Sequence, residues 1–305
     1  MVIPKSVWKR MRRNRECYLI ILPPILCLVI FRYIPMYGAQ IAFKRFNPVL
    51  GIWGSPWVGF ANFTRFFRSF YFENLLVNTL RLSVYQLLAG FPFPILLAMS
   101  LNIVRRKRYK QTVQLVTYAP YFISTVIVVG ILFQLLSLRG PVNRLLSLFG
   151  IEPIIFFGSA AIFPSLYVWS GVWQNLGFQS IVYLAVLSGV APELHEAAII
   201  DGASLRQRIR HIDVPSVVPT AVMLLILATG RIMEVGFEKA LLMQTPLNAA
   251  TSEIIQTFVY KTGIASPTTN FGFPTAIGLF RSVIGLVLIV TVNRISKRVS
   301  EYSLW

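Results

Sequence analysis

The chain has 305 residues and a formal charge of +18, and its mean hydropathy is +0.66. Hydrophobic residues make up 55% of it and charged residues only 13%, about half the charged fraction of a soluble domain. This composition excludes an ordinary soluble domain and predicts a polytopic membrane protein. The basic residues cluster beside apolar runs, as on the cytoplasmic flanks of membrane spans, so the positive charge does not indicate nucleic-acid binding.

Six stretches are long and apolar enough to cross a bilayer, which takes about 20 mostly apolar residues. They lie at 18–36, 79–101, 113–138, 162–187, 217–237 and 274–292. The first follows a basic N-terminal segment, as in a signal peptide, but Arg32, Tyr33 and Pro35 come next instead of a small-residue cleavage site. We therefore expect a retained span. The predicted fold class is all-α: a polytopic membrane protein with six transmembrane helices in a single domain, residues 1–305.

Lysine and arginine are unevenly distributed between the two sides of these spans. One side carries seventeen: Lys5, Lys9, Arg10, Arg12, Arg13, Arg15, Arg105, Arg106, Lys107, Arg108, Lys110, Arg206, Arg208, Arg210, Arg294, Lys297 and Arg298. The other side carries eight: Lys44, Arg45, Arg65, Arg68, Arg139, Arg144, Lys239 and Lys261. Because positive residues concentrate in cytoplasmic loops, the asymmetry predicts that both termini and the segment 190–215 face the cytoplasm.

The two longest segments on the opposite side differ in composition. Residues 37–75 are rich in tryptophan and phenylalanine, which is typical of an aromatic belt at a membrane interface. Within them, the stretch ANFTRFFRSF predicts a short amphipathic helix on the outer surface. Residues 238–272 are predicted to form a second outside loop, rich in threonine, asparagine and proline.

The segment 190–215 is polar and charged, although long apolar runs lie on both sides of it. Pro192 suits a first helical turn, where a backbone N–H would have no partner in any case. Glu193 and Glu196 lie where the helix dipole favours negative charge. Gly202 can adopt a positive φ and end the helix.

The same segment has features that suit contact with another protein. Ala197 and Ala198 are good helix formers with small side chains, so a partner surface can approach closely. Arg206, Arg208 and Arg210 make the following part basic, and Pro215 is expected to restart the chain as the next membrane helix. An ordinary solvated hairpin between two spans is the alternative interpretation.

A known pattern runs through this segment in the order Glu196-Ala197-Ala198, Asp201-Gly202-Ala203, Gln207, Ile212, Pro215. This order resembles the EAA loop of bacterial ABC importer permeases. Similarity to the polysaccharide-type carbohydrate permeases extends to FRYIPMYGAQIAFKRFNP, WVGFANFTRFF, NTLRLSV, GFEKALLMQTPL and the terminal YSLW. The resemblance therefore runs almost end to end. It implies the type I ABC importer permease fold, in an importer of alginate or another oligosaccharide.

In that family the loop forms short cytoplasmic helices that dock into a groove on an ATPase subunit. The resemblance assigns this coupling role to Glu196, Ala197, Ala198, Asp201, Gly202, Ala203 and Pro215. The implied partners are a second homologous permease, two ATPase subunits, an extracytoplasmic solute-binding protein, a saccharide and membrane lipid. ATP and magnesium would be bound by the ATPase partners, and this chain would bind no cofactor.

The family places its sugar contacts on the helices that flank the EAA loop. Gly171, Asn175 and Phe178 are spaced i, i+4, i+7 and so share one helical face. Arg231 and Glu234 are spaced i, i+3 in the predicted fifth span and are placed to pair. These five residues are the candidate substrate path. Interhelical packing is the alternative role for Asn175. The arginine excess suits an anionic saccharide such as an alginate-type oligouronate, and a neutral oligosaccharide fits as well.

The sequence does not support catalysis. It contains no GxxxxGK[ST], GxSxG or HExxH motif. His195 and His211 lie in the polar segment without an acid at catalytic spacing, so we expect interface or solvated side chains. Cys17 and Cys27 form no metal or disulfide pattern and are expected to be small buried apolar residues. A secondary ion-coupled transporter, a membrane-embedded enzyme and a non-enzymatic scaffold are the competing functions.

Overall fold

The computed structural model describes residues 13–266 and 271–299, with side chains described as far as residue 297. The terminal YSLW and the basic residues before Arg13 therefore lie outside the described residues. The first helix, α1 (Arg15–Leu28), continues through a π turn (Val29–Tyr33), a short α-helical piece (Ile34–Met36) and a 3-10 turn (Tyr37–Phe43). Two short helices follow, α2 (Gly51–Gly54) and α3 (Ala61–Phe67), and the latter confirms the helix predicted within ANFTRFFRSF.

The remaining described residues are also mainly helical. The middle of the chain contains α4 (Phe72–Gly90), α5 (Pro92–Ile103), α6 (Lys107–Tyr118), α7 (Thr125–Leu135), α8 (Pro141–Leu148) and α9 (Phe163–Ser188). The rest contains α10 (Pro192–Ile200), α11 (Leu205–Arg208), α12 (Val214–Gly230), α13 (Phe237–Met243), α14 (Ala249–Ser252), α15 (Ile255–Gly263) and α16 (Gly272–Val299). The β structure among these residues is an isolated antiparallel bridge between Lys44 and Trp57.

Four helical stretches of the described chain are long and apolar enough to cross a membrane without a break. They are Arg15–Phe43, Phe72–Ile103, Leu205–Gly230 and Gly272–Lys297. Two more spans result if bent pairs of helices are each counted as one, namely Lys107–Phe122 with Thr125–Leu135 and Phe163–Ser188 with Pro192–Ile200. Each of the six predicted spans overlaps one of these regions, so the helical membrane fold is confirmed.

The third predicted span is not one continuous helix. The chain turns by 103° between Lys107–Phe122 and α7. A 3-10 turn (Ala119–Phe122) with Pro120 in its first two positions ends the first part. Ser124 then starts α7 afresh, because its side chain accepts a hydrogen bond from the backbone N–H of Ile127 at 3.4 Å. The apolar run through 113–138 predicts one continuous span, although Pro120 and Ser124 within it are signals of a helix end and a new helix start.

The centre of the fold is α9, which packs against α4, α5, α6 and α12. Its N-terminal half joins a buried apolar cluster with α4, α7 and α13, to which it contributes Phe163, Tyr167, Val168 and Val172. Its C-terminal half joins a second cluster with α5 and α12, to which it contributes Tyr183, Leu184 and Leu187. A third cluster connects α3, α4, α15 and α16. The helices that flank α10 and α11 are α9 and α12, and they pack together in the second cluster.

The predicted outside loop 238–272 is largely folded rather than irregular. It contains α14, α15 and most of α13, and buried amides fix their positions. Asn248 is fully buried, and its Nδ2 donates to the carbonyl oxygen of Phe157 at 2.9 Å. Asn78 on α4 donates through Nδ2 to the carbonyl oxygen of Ala250 at 2.8 Å. Satisfying buried carbonyl groups in this way holds the segment against α4 and against the turn that precedes α9.

The expectation for the cysteines was wrong. Cys17 and Cys27 are free and exposed on α1. No residue of α1 is buried, although most of its side chains are apolar. The single chain therefore leaves this helix uncovered, and its apolar surface suits lipid or a neighbouring subunit.

Candidate functional site

The helix α10 leaves α9 at an angle of 67° and carries three of the seven predicted coupling residues, Glu196, Ala197 and Ala198, and three more follow directly after it. Pro192 is its first residue, as predicted. Gly202 has a φ of +77°, which confirms the predicted left-handed end of the helix. The backbone N–H of Ala203 donates to the carbonyl of Ala198 at 2.8 Å, and that of Gly202 donates to Ile199 at 3.0 Å. These two bonds form a Schellman motif, the hydrogen-bond pattern that closes many helices.

The surface of α10 is unusually apolar for a solvated helix. Leu194, Ile199 and Ile200 are 55%, 52% and 86% exposed. The predicted coupling residues Glu196, Ala197, Asp201, Gly202 and Pro215 are also exposed, and Ala198 and Ala203 are half-buried. Exposed apolar side chains beside charged ones are typical of a surface that contacts another protein. The structure therefore leaves this helix available to a partner.

The next part of the segment begins with a capping box on α11. The N–H of Gln207 donates to Oγ of Ser204 at 3.4 Å, and Oε1 of Gln207 accepts from the N–H of Ser204 at 2.7 Å. From Leu205 the helix runs to Gly230 through a π turn at Ile209–Asp213. The expectation that Pro215 restarts the chain was therefore wrong. The π turn ends at Asp213, two residues before Pro215, whose missing N–H interrupts the regular hydrogen-bond ladder.

The expectation that His195 lacks a paired acid was also wrong. Its Nε2 lies 3.5 Å from Oδ1 of Asp213, a residue 18 positions further along the chain. The same Oδ1 accepts a hydrogen bond from Nδ2 of Asn102, at the end of α5, over 3.3 Å. Asp213 thereby connects α10, α5 and the start of α12. His211 instead contacts the backbone carbonyl of Gln207 through Nδ1 at 2.9 Å and is exposed. This cluster holds α10 in position relative to two spans.

All five residues of the predicted substrate path line one cavity. The cavity has a volume of about 620 Å³ and lies between α4, α5, α9 and α12. Its lining includes Gly171, Asn175, Phe178, Arg231 and Glu234. A second cavity of about 480 Å³ adjoins it near the bend before α7. The two share Gln86, Gly171 and Asn175, so they adjoin along α9 and together form the passage, in which amide and charged groups interrupt an apolar lining.

Asn175 and its neighbour Gln174 have different roles in this passage. Gln174 is buried, and its Nε2 donates to the carbonyl of Ile123 at 3.1 Å, which connects α9 to the bend before α7. Nδ2 of Asn175 donates to the carbonyl of Gly171 on its own helix at 2.8 Å. The side-chain oxygen of Asn175 has no hydrogen-bond partner among the described residues. The packing role therefore falls to Gln174, and Asn175 keeps an acceptor available in the cavity.

Phe178 forms an aromatic contact across the passage. Its ring stacks on Tyr121 with centroids 3.8 Å apart and an angle of 3° between the planes. Tyr121 lines the smaller cavity and Phe178 the larger one, so the stacked pair lies where the two meet. Phe122 adds an edge contact to Phe178 at 6.4 Å. Aromatic faces beside amide groups suit a ligand with both apolar faces and hydroxyl groups.

The predicted pairing of Arg231 and Glu234 was wrong. The helix α12 ends at Gly230, so both residues lie in the turn that follows rather than on one helical face. The N–H of Glu234 donates to the carbonyl of Arg231 at 2.7 Å, but their side chains form no ion pair within 4.0 Å. Gly230 followed by Arg231 and Glu234 is a signal of a helix end, which the long apolar run before it outweighed in the prediction. Both side chains nonetheless reach the larger cavity.

Sequence reasoning missed several residues of the passage. Gln86 on α4 lines both cavities, and Lys239 on α13 lines the smaller one. A glutamine within an apolar span was the available signal for Gln86. Lys239 lies in the predicted outside loop 238–272, and an exposed lysine in such a loop does not indicate a binding site. No group of three or more metal-ligating side chains lies close together among the described residues.

Comparison with known proteins agrees with this architecture. Residues 90–301 match the family described as "Binding-protein-dependent transport system inner membrane component". Protein LplB of Bacillus subtilis (strain 168) is 40% identical over 97% of this chain and 92% of its own length. From the same organism, the polygalacturonan/rhamnogalacturonan transport system permease protein YteP is 39% identical over 99% of this chain and 94% of its own length.

A solved structure has the same fold. It is a crystal structure of a bacterial ABC transporter involved in the import of the acidic polysaccharide alginate. One of its chains is 39% identical and superposes with a TM-score of 0.88, over 96% of this chain and 99% of that one. The protein described here has the type I ABC importer permease fold and belongs to the family of binding-protein-dependent transport system inner membrane components.

Proposed function

We propose that this chain conducts a saccharide across the membrane as one permease subunit of an ATP-driven importer. The observation that carries the proposal is the convergence of all five predicted path residues on one cavity beside α9. That cavity is bounded by α9 and α12, which flank the segment containing α10 and α11. A movement imposed on α10 would therefore reach the walls of the cavity through the helices on either side of it.

The chemistry of the passage supports a saccharide as the solute. Amide side chains such as Gln86 and Asn175 can exchange hydrogen bonds with sugar hydroxyls. The stacked rings of Tyr121 and Phe178 offer aromatic faces. Two of the similar proteins are named for polysaccharide transport: YteP for polygalacturonan and rhamnogalacturonan, and the crystallised importer for alginate. Membership of a binding-protein-dependent family argues against a self-sufficient secondary transporter and against a membrane enzyme.

The energy source in this proposal is a pair of ATPase subunits that bind ATP and magnesium. This chain forms a single permease domain over residues 1–305 and supplies α10 as the docking helix, with Glu196, Ala197, Ala198, Asp201, Gly202, Ala203 and Pro215 as coupling residues. A second homologous permease completes the pore. An extracytoplasmic binding protein delivers the saccharide, since a related importer was crystallised in complex with an "alginate pentasaccharide-bound periplasmic protein".

The proposed orientation places both termini and α10 in the cytoplasm, following the uneven distribution of lysine and arginine. A variant without Cys17 and Cys27 provides the background for single-cysteine labelling in intact cells. We expect that an impermeant thiol reagent added outside labels Ser147→Cys, near the end of α8, and leaves Ser204→Cys unlabelled. Strong labelling of Ser204→Cys from outside, with Ser147→Cys protected, would reverse the orientation.

The function is tested by reconstituting the chain with its partner permease, ATPase subunits and binding protein in liposomes. Uptake of a labelled oligosaccharide should require ATP, the binding protein and this chain together. A liposome that lacks this chain is the control. Uptake driven by an ion gradient without ATP, or no uptake of any saccharide by the full assembly, would overturn the proposal.

A further inference from the structure

The smaller cavity contains a lysine that the mechanism above does not use. Lys239 on α13 is only 8% exposed, and its side chain reaches the cavity between α9 and the bend before α7. Nζ donates to the carbonyl oxygen of Tyr167 at 2.8 Å and lies 4.9 Å from the centre of the Tyr167 ring. No carboxylate lies within 4.0 Å of Nζ among the residues that the structure describes.

The backbone of α9 leaves space for this ammonium group. A Cβ atom added to Gly171 would lie 3.1 Å from Nζ of Lys239, closer than most side chains tolerate. Gly171 itself lines both cavities. The absence of a side chain at this position therefore lets Lys239 reach the wall of the passage. The φ of Gly171 is not in the left-handed region, so the space it leaves for Nζ, and not its backbone conformation, accounts for a glycine at this position.

The buried Lys239 side chain has no anionic partner among the described residues, and burial lowers its pKa to about 7. Burying a charge is unfavourable unless it is paired with an opposite charge and hydrogen-bonded. An ammonium has three N–H donors, and one carbonyl uses one of them. The face of the Tyr167 ring adds a cation–π contact, which offsets part of the loss of water. An anionic group in the cavity would accept the remaining hydrogen bonds and neutralise the charge.

We propose that Lys239 is the centre of an anion subsite that binds the carboxylate of an acidic saccharide during its passage. This inference rests on the proposed function and assigns the substrate class: an oligosaccharide that carries uronate groups. Gln86, Gln174 and Asn175 line the same cavity and surround the carboxylate with amide groups for the sugar hydroxyls. Arg231 in the adjoining cavity supplies a second positive charge along the path.

Lys44 provides a matched control, because it is a buried lysine of the same kind outside the passage. It is 3% exposed, its Nζ donates to the carbonyl of Ile52 at 2.6 Å, and it lies 4.7 Å from the centre of the Trp57 ring. Lys44 lines neither cavity. Its replacement therefore measures the general effect of removing a buried lysine from this chain.

The test measures uptake of two substrates by the complete reconstituted importer: a uronate oligosaccharide and the same oligosaccharide after reduction of its carboxylates to neutral sugars. Each variant is compared with the wild type on the same substrate, so the preference of the binding protein cancels. For Lys239→Met we expect uronate uptake to fall at least tenfold, and neutral uptake, where the wild type shows it, to change less than threefold. Lys239→Arg should retain most uronate uptake. Lys44→Met should change both rates by the same factor.

Gly171→Ala is a second variant that acts on the subsite without removing the lysine. Its Cβ would require Nζ to move away by a few tenths of an ångström, so uronate uptake should fall more than neutral uptake. The inference is overturned if Lys239→Met and Gly171→Ala keep wild-type uronate uptake, or if they reduce both substrates equally. Transport of the neutral oligosaccharide alone by the wild type would also overturn it, while leaving the proposed function intact. Transport of neither substrate would instead contradict the proposed function.

Discussion

Replacement of Gly177 by alanine is expected to destabilise the chain and to abolish most of its transport. Gly177 lies on α9 where α6 passes closest, and an added Cβ would overlap the backbone carbonyl of Thr117. It would also lie 2.7 Å from Cδ1 of Tyr118. A backbone carbonyl cannot rotate away as a side chain can, so the two helices must separate. Overpacking of this kind costs about 1–3 kcal/mol, and occasionally more.

The separation should also affect the passage. The helical stretch that starts with α6 continues to Tyr121, whose ring stacks on Phe178 only one residue after Gly177. We therefore expect a lower thermal unfolding temperature of the detergent-solubilised complex and reduced saccharide uptake in the same variant. Gly278→Ala on α16 is the control. It has no neighbour within 4 Å of an added Cβ and should be neutral or slightly stabilising. Equal stability of the two variants would show that α6 and α9 are not in this close contact.

Replacement of Gly202 by valine is expected to uncouple ATP hydrolysis from transport. The left-handed conformation of Gly202 costs residues with a Cβ about 1–2 kcal/mol, and β-branched residues tolerate it least. No atom lies within 4 Å of an added Cβ, so the strain comes from the backbone alone. The valine variant should lose the Schellman end of α10 and shift the docking helix. Gly202→Asn, which tolerates this conformation, should stay near the wild type, and Gly202→Ala should fall between the two.

Gly150 offers a control with the same geometry elsewhere. It has a φ of +73°, no neighbour within 4 Å of an added Cβ, and the same pair of closing hydrogen bonds, at the end of α8. Gly150→Val thus carries a similar backbone strain but lies far along the chain from α10. The measurements are saccharide uptake and ATP hydrolysis stimulated by the loaded binding protein. If both valine variants lower uptake equally, or if Gly202→Val keeps full coupling, α10 is not the coupling element.

Much of the fold was predictable because long apolar runs have few alternatives in a membrane. The polar segment was predictable in more detail, since Pro192 and Gly202 have conformational preferences that act locally. The 103° bend before α7 and the end of α12 at Gly230 were not predicted, because the hydropathy of the surrounding runs outweighed the local signals of Pro120, Ser124 and Gly230. Where a helix bends or ends within an apolar run depends on tertiary packing, and hydropathy carries no information about that packing.

The candidate site shows the same division. Gly171, Asn175 and Phe178 shared a helical face by spacing alone, and the structure places that face on a cavity. Arg231 and Glu234 also line the cavity, but they do so from the turn after α12 and not from one face of a helix as predicted. Lys239 could not be identified from sequence, because its burial depends on α13 folding back against α9. The contact between His195 and Asp213 likewise joins residues that local patterns treat separately.

The most direct test of the account is the reactivity of a single cysteine at position 175 in the assembled importer, in a background without Cys17 and Cys27. If the cavity along α9 is the saccharide path and α10 drives it, the labelling rate of Asn175→Cys should fall when the loaded binding protein delivers saccharide. It should change again when nucleotide is trapped on the ATPase subunits. Trp173→Cys, which is 50% exposed in the wild type and lines neither cavity, should label at one rate in every state. If the labelling rate of Asn175→Cys is the same with and without saccharide and with and without trapped nucleotide, the account is contradicted.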